Sequence, residues 1–235
     1  MSPPPRISVV VPVWDEVRRL PALLDALDIC RPAPLEVVVA DGGSDDGTRE
    51  IARIRARLVD APRGRAAQQN AGAAAVTGDV LWFLHADCLP SPGAVGEIAD
   101  AVAGGAPGGC FRVAFPPEEL RRHPLLPWIE RGIDLRTRAT RSGTGDQGLF
   151  VRRGVFEALG GFPEWPLFED VRMARGLHRA GRPAVCRGPL LTSARRWLVH
   201  GPARTMARMW ALRLGYLAGV PPERLARAWR QTPAP

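Results

Sequence analysis

Lysine is missing from this chain of 235 residues, so all 32 of its basic side chains are arginines. A formal net charge of +8 and an isoelectric point near 10.9 would ordinarily suggest nucleic acid as a partner. Arginine throughout, in a chain also rich in Ala, Gly and Pro, is instead what a compositionally biased genome produces, and no nucleic acid partner is expected. The arginines thicken between Arg121 and Arg230, which favours anionic substrates or lipid headgroups in the second half. Cysteine is scarce. Cys30, Cys88, Cys110 and Cys186 show neither paired metal spacing nor the density of a secreted disulfide framework, so reduced, buried thiols are expected. No stretch reaches the roughly 18 apolar residues of a transmembrane helix. The apolar run from Ile7 to Trp14 is short, contains Pro12 and leads into Asp15-Glu16 rather than a small-residue cleavage site, so no signal peptide is expected. The expected compartment is the cytoplasm, either free or peripheral at the inner face of the membrane.

What is present reads as one globular unit. The 46% hydrophobic and 24% charged fractions are ordinary for a folded protein, and the length suits a single α/β domain over residues 1–235. Ile7-Ser-Val-Val-Val11 is β-branched, and Leu20, Leu23, Leu24 and Leu27 follow at helical spacing. Glu36-Val-Val-Val-Ala40 repeats the strand signal, turn residues run from Asp41 to Gly47, and Ile51, Ile54 and Leu58 line a second helical face. A short strand near Arg57 to Val59, an Ala-rich helix from Ala66 to Val76 and the strand Val80-Leu-Trp-Phe-Leu84 continue the alternation. After a helix carrying Val95, Ile98 and Val102, short strands are expected around Gly109 to Phe115 and Leu149 to Arg152. Alternating strands and helices predict a mostly parallel central sheet flanked by helices. Only the Pro-rich ends, Ser2 to Pro5 and Thr232 to Pro235, read as disordered.

In such sheets ligands collect beyond the carboxyl ends of the strands, which here carry Asp15-Glu16, Asp41 and Asp87. Clustered carboxylates repel unless a cation or ligand satisfies them, and a divalent metal would do so. Four segments, Val11-Pro-Val-Trp-Asp-Glu16, Val39-Ala-Asp-Gly-Gly-Ser-Asp-Asp-Gly-Thr48, Gly64-Arg-Ala-Ala-Gln-Gln-Asn-Ala-Gly72 and Leu84-His-Ala-Asp87, together resemble family 2 glycosyltransferases of the A-type fold. The resemblance covers roughly residues 6 to 200 and points to a compact bacterial subgroup with His-Ala-Asp in place of Asp-x-Asp. It implies a nucleotide-sugar-binding half over 6–115, an acceptor and catalytic-base half over 116–200, and a helical tail over 201–235.

The same resemblance implies roles. Pro12 and Glu16 would line the nucleotide pocket, and Asp41, beside Gly43, would hydrogen-bond the donor base, typically uracil; the run also reads as a plain turn with Asp45 capping a helix. Asp87 would hold Mg²⁺ or Mn²⁺ bridging the diphosphate, with His85 and Ala86 beside it and His85 facing either ribose or metal. Arg65 would bind phosphate at a helix N-terminus or belong to a solvated loop. Asn70 would tighten the donor pocket or cap a helix. In Phe162-Pro-Glu-Trp-Pro-Leu-Phe-Glu-Asp-Val171, Asp170 would be the general base and Glu169 its partner, both also suited to a helix start. Arg196 and Trp197 of Ser193-Ala-Arg-Arg-Trp197 would act together, charge on phosphate and ring on sugar. Met206, Met209, Trp210, Tyr216 and Leu217 share a helical face that covers either the acceptor or a lipid surface.

The function so implied is inverting transfer from a nucleotide sugar, UDP-linked, to an acceptor hydroxyl, with a lipid-like acceptor such as a carotenoid or polyprenol conceivable. Two rivals stand beside it: a non-catalytic nucleotide- or sugar-binding module, and a nucleotidyltransferase. The latter needs a Gly-rich phosphate loop after the first strand, where this chain has Pro-Val-Trp-Asp-Glu.

Overall fold

A computed structural model describes residues 3–230. In chain order the elements are β1 (Ile7–Val13), α1 (Leu20–Asp28), β2 (Glu36–Asp41), α2 (Thr48–Arg55), β3 (Arg57–Asp60), α3 (Arg65–Ala75), β4 (Val80–Phe83), β5 (Cys88–Leu89), α4 (Ala94–Ala103), β6 (Gly108–Ala114), α5 (Pro117–Leu120) and α6 (Leu126–Thr140). There follow a single 3-10 turn (Gly145–Gln147), β7 (Phe150–Arg152), α7 (Arg153–Ala158), α8 (Glu169–Ala180), β8 (Ala184–Thr192), α9 (Arg195–His200), α10 (Pro202–Leu217) and α11 (Pro222–Arg230). One sheet takes the strands in the order β3-β2-β1-β4-β7-β6-β8-β5. Pairings β3-β2, β2-β1, β1-β4 and β6-β8 are parallel, while β7 and β5 run against their neighbours.

Period-two alternation explains why both faces of the sheet are dry. Val9, Val11 and Val13 of β1 and Val80, Trp82 and Leu84 at β4 join Leu20, Leu23 and Leu27 of α1 on one face. Val10, Leu81 and Phe83 point to the other, against Ala66 and Ala73 of α3 and Met173 and Leu177 of α8. Helix α3 sits close to the sheet because Gly72 lacks a Cβ, which would overlap Val10. All four cysteines are free and buried, as expected.

Two expectations need correction. Ile54 is 84% exposed and Leu58 lies in β3, because α2 ends at Arg55 and its buried face falls on Thr48 and Ala52. The residues grouped on one face of the tail helix separate: Met206 packs into a third core cluster and Tyr216 packs on Phe168, whereas Trp210 and Leu217 face outward. Helix α10 is buried along Thr205 and Leu212, so its opposite stripe is the exposed one. The disorder expected at the ends falls, for Ser2 and Thr232 to Pro235, outside the described residues.

Asn70 has a structural part distinct from the donor pocket and from helix capping. From α3 its amide donates to the Phe162 carbonyl at 2.8 Å, and its oxygen accepts the Phe162 N–H at 2.9 Å. This pair of bonds pins the segment leading into α8 against α3. Asn70→Ala removes both, and we expect a loss of about 2 kcal/mol in urea denaturation, from two hydrogen bonds at roughly 1 kcal/mol each. A variant as stable as the parent would rule out the clamp.

Candidate active site

The carboxyl ends of β1 and β2 lie level, with Val13 paired to Asp41, and the loops beyond them are stitched together. The N–H groups of Asp15, Glu16 and Val17 donate to Ser44 Oγ, Thr48 Oγ1 and Asp46 Oδ2 at 2.9, 2.8 and 3.0 Å. Asp46 also accepts the Thr48 N–H ahead of α2, whose N-cap is Gly47, so the capping expected of Asp45 falls to its neighbour. Asp41 is 1% exposed, and its oxygens accept from Gly43 N–H, Ser44 N–H, Ser44 Oγ and Arg49. Burial pushes its pKa up, but these donors outweigh burial and hold it below the ordinary value. As folded, that carboxylate shapes the loop, and Gly43, at φ +87°, is exposed beside it. Pro12 is buried within β1, and Glu16 is half-buried with Arg19 at 2.6 Å. Gln68 of α3 braces the same strand ends by donating to the Val13 and Ala40 carbonyls at 2.5 and 3.0 Å. Trp14, 43% exposed, carries the Arg63 guanidinium 3.4 Å above its ring.

The acids that come together belong to other segments. His85 and Asp87 follow β4 and are half-buried. His85 adjoins Gly145 of the 3-10 turn and lies in the field of Arg65, Asp87, Asp146 and Asp170. Burial and Arg65 lower its pKa against the three acids, which favours the neutral imidazole. The Gly145 N–H donates to Asp170 Oδ2 at 2.7 Å, and the Val171 N–H donates to Oδ1 at 2.7 Å. These bonds fix the Asp170 carboxylate at the start of α8, one residue beyond buried Glu169. Arg65 meets Glu169 at 2.9 Å, joining α3 to α8. Burial pushes the Glu169 pKa up, Arg65 pulls it back and Asp170 adds to the rise, the net direction being upward. Arg65 therefore reaches this corner already paired, with 41% of its side chain exposed.

Among the described residues, Asp87, Asp146 and Asp170 have no salt-bridge partner, although Arg65 stands nearby. Nor does any group of three or more His, Cys, Asp or Glu among them form a complete metal cage. Unpaired carboxylates beside a neutral imidazole suit a hard divalent cation that completes its shell with oxygens from a ligand. Asp87 could hold one.

Arg196 and Trp197 do not act as a pair. Adjacent helical residues point about 100° apart. Trp197 is 8% exposed and packs with Val113, Phe115 and Leu126, while Arg196 lies over Trp229 of α11 at 5.3 Å. Sequence reasoning also missed Asp146 and Gly145. The string Gly145-Asp-Gln-Gly148 carried the signal, since Thr144 and Gln147 close a capping box that shapes this turn. A hollow of about 400 Å³ bounded by Gly160, Gly161, Pro163, Arg172 and Met173 contains none of these acids.

Residues 8–160 match the family model described as Glycosyl transferase family 2. The chain is 28% identical over 174 residues to glycosyltransferase AglE of Haloferax volcanii, covering 68% of this chain and 56% of that protein. It is 31% identical over 156 residues to validoxylamine A glucosyltransferase of Streptomyces hygroscopicus subsp. limoneus, covering 54% of this chain and 34% of that protein. The chain thus spans little more than half of the first relative and about a third of the second. Glucosyl-3-phosphoglycerate synthase from Mycobacterium tuberculosis, solved with Mn²⁺, UDP and glucosyl-3-phosphoglycerate, aligns at TM-score 0.60 and 20% identity over 92% of this chain and 81% of its own. A mannosyltransferase from Pyrobaculum calidifontis, solved with GDP-Man and Mn²⁺, aligns at TM-score 0.62 and 22% identity over 100% of this chain and 67% of its own. These two likenesses establish the A-type glycosyltransferase fold. With its family model matched from residue 8 to residue 160, which is well over half of its length, the chain belongs to glycosyl transferase family 2.

Proposed function

We propose that this chain transfers a sugar, with inversion, from a nucleotide sugar to an acceptor hydroxyl, using Mg²⁺ or Mn²⁺. UDP is the favoured donor nucleotide. The observation that carries the reading is that the loop after β4 meets the start of α8: Gly145 lies against His85 and donates to Asp170, and the Cys88 thiol reaches both Asp87 and the Asp146 carbonyl. Relatives named as glycosyltransferases and fold neighbours solved with Mn²⁺ and a nucleotide or nucleotide sugar support it.

Asp170 acts as general base. The acceptor oxygen gives its proton to the Asp170 carboxylate and forms a bond to the anomeric carbon as the bond from that carbon to the diphosphate oxygen breaks. Gly145 and Val171 keep the carboxylate aimed, and the Arg65–Glu169 pair fixes the start of α8 relative to the donor-side helix. Asp87 would hold the cation, which supplies charge neutralisation for the departing nucleoside diphosphate when bound. Neutral His85 can donate to or accept from ribose without adding charge. Pro12, Glu16 and Gly43 frame the base end.

The same reading sets the work at a membrane surface. Leu125, Trp128, Leu135 and Ala139 form an exposed stripe on α6, and Ala203, Ala207, Trp210, Leu214 and Leu217 form another on α10. Trp128 is 69% exposed and Leu214 60%, while the inner faces of both helices pack into one cluster through Leu126, Ile129 and Met206. Exposed Arg131, Arg138 and Arg204 border the stripes, and residues 116–230 hold 21 arginines against 10 acids. Aromatic and aliphatic side chains edged by arginine suit an anionic bilayer.

Asp170→Asn should reduce turnover by about 10²- to 10⁴-fold while leaving UDP affinity in Mn²⁺ unchanged, and full activity would refute the base assignment. Asp87→Asn should remove the gain in UDP affinity that Mn²⁺ gives the parent, read by calorimetry; a persistent gain takes Asp87 out of its role. The chain should co-sediment with vesicles containing phosphatidylglycerol and not with phosphatidylcholine alone. The double variant Trp210→Glu, Leu214→Glu should bind at least about tenfold more weakly, and equal binding would exclude the α10 face.

A further inference from the structure

Asp170 has two electrically different sides. Toward β4 lie Asp87, Asp146 and His85. Toward the helical tail stands Arg213 of α10, which in turn lies in the field of Arg136 of α6 and Arg175 of α8. Among the described residues, none of these three arginines meets a carboxylate at salt-bridge distance.

Arg136 and Arg175 are instead positioned by neutral partners. Arg136 donates to Gln147 Oε1 at 2.8 Å, in the turn whose Gly145 N–H holds Asp170, and its Nε is buried without a partner. Arg175 donates to the Tyr216 hydroxyl at 3.4 Å and lies 4.8 Å over that ring. Tyr216 packs 4.8 Å from Phe168, which leads directly into Glu169-Asp170. Arg213 stands one turn before Tyr216 on the same helix and is half-buried. Burial and Arg136 pull the Arg213 pKa down, Asp170 opposes them, and Arg175 adds to the fall. Like charges gathered in a partly dry place cost free energy unless an anion joins them. Asp170 alone leaves an excess of positive charge there.

We infer that Arg136, Arg175 and Arg213 form an anion subsite on the acceptor side of Asp170, which takes a phosphate group carried by the acceptor itself. Three guanidinium groups from three helices match the charge and several oxygens of a phosphate monoester better than a single carboxylate. A phosphate seated there would bring a hydroxyl on the same molecule to Asp170. The inference rests on Asp170 being the acceptor's base, and it narrows the acceptor to a phosphorylated hydroxyl compound.

The test uses the full chain with UDP and Mn²⁺ at saturation, and glycerol 3-phosphate and glycerol as probes in calorimetry. Glycerol 3-phosphate should bind alongside UDP, and glycerol should not. Arg213→Met should weaken the phosphate probe by about tenfold or more, with UDP affinity in Mn²⁺ unchanged. If that variant does not fold, by thermal melt, exposed Arg175→Met provides the same reading. Unchanged probe affinity in the folded variant overturns the subsite. Displacement of the probe by UDP also overturns it, because the arginines would then serve the departing diphosphate. Failure of the parent to bind UDP with Mn²⁺ would instead sink the transferase reading, and repeating the probe titration without nucleotide still reads the arginines.

Discussion

The constraint on which this molecule turns is the gathering of Asp87, Asp146 and Asp170 about His85, three carboxylates without a salt-bridge partner among the described residues. Carboxylates left without partners drift apart unless the backbone holds them, and here it does so by unrelated means. Asp87 follows the end of β4, Asp146 lies in a turn closed by Thr144 and Gln147, and Asp170 is gripped by the N–H groups of Gly145 and Val171. A rigid sheet, buried on both faces, makes that arrangement affordable. The uncompensated charge is the feature a cation and a diphosphate would relieve.

Helix α3 does more to define the site than its bland, alanine-rich sequence suggests. Gly72 lets it lie against β1, Gln68 braces the ends of β1 and β2, Asn70 clamps the Phe162 backbone, and Arg65 pairs with Glu169. One helix thus connects the loops of the donor half to the start of α8. Motion between the halves would have to break these contacts together, which gives the donor and acceptor sides a common frame.

The second half joins two surfaces of different character. Inward, Arg213 of α10 lies near Asp170 with Arg136 of α6 and Arg175 of α8 in its field; outward, α6 and α10 present Trp128, Leu135, Trp210 and Leu214. Helical geometry permits both, since residues half a turn apart face opposite ways. The tail therefore places a basic side chain near Asp170 while leaving apolar side chains exposed on its other face.

By itself the sequence determined the local order of the fold. Alternating β-branched and aromatic residues placed the strands, leucine spacing placed α1, and the acidic loops marked the ligand end of the sheet, because these signals depend on neighbours a few positions away. Asp87 and Asp170 were legible for the same reason, each sitting at the end of a recognisable element. Tertiary structure alone decided how each polar side chain is employed. It turned Asp41 inward to Ser44 and Arg49, gave Asn70 to a backbone 92 residues away, buried Trp197, and brought Asp146 and Arg213 to Asp170. Partners of that kind are set by packing between distant segments, and no short window of residues contains both members of the pair.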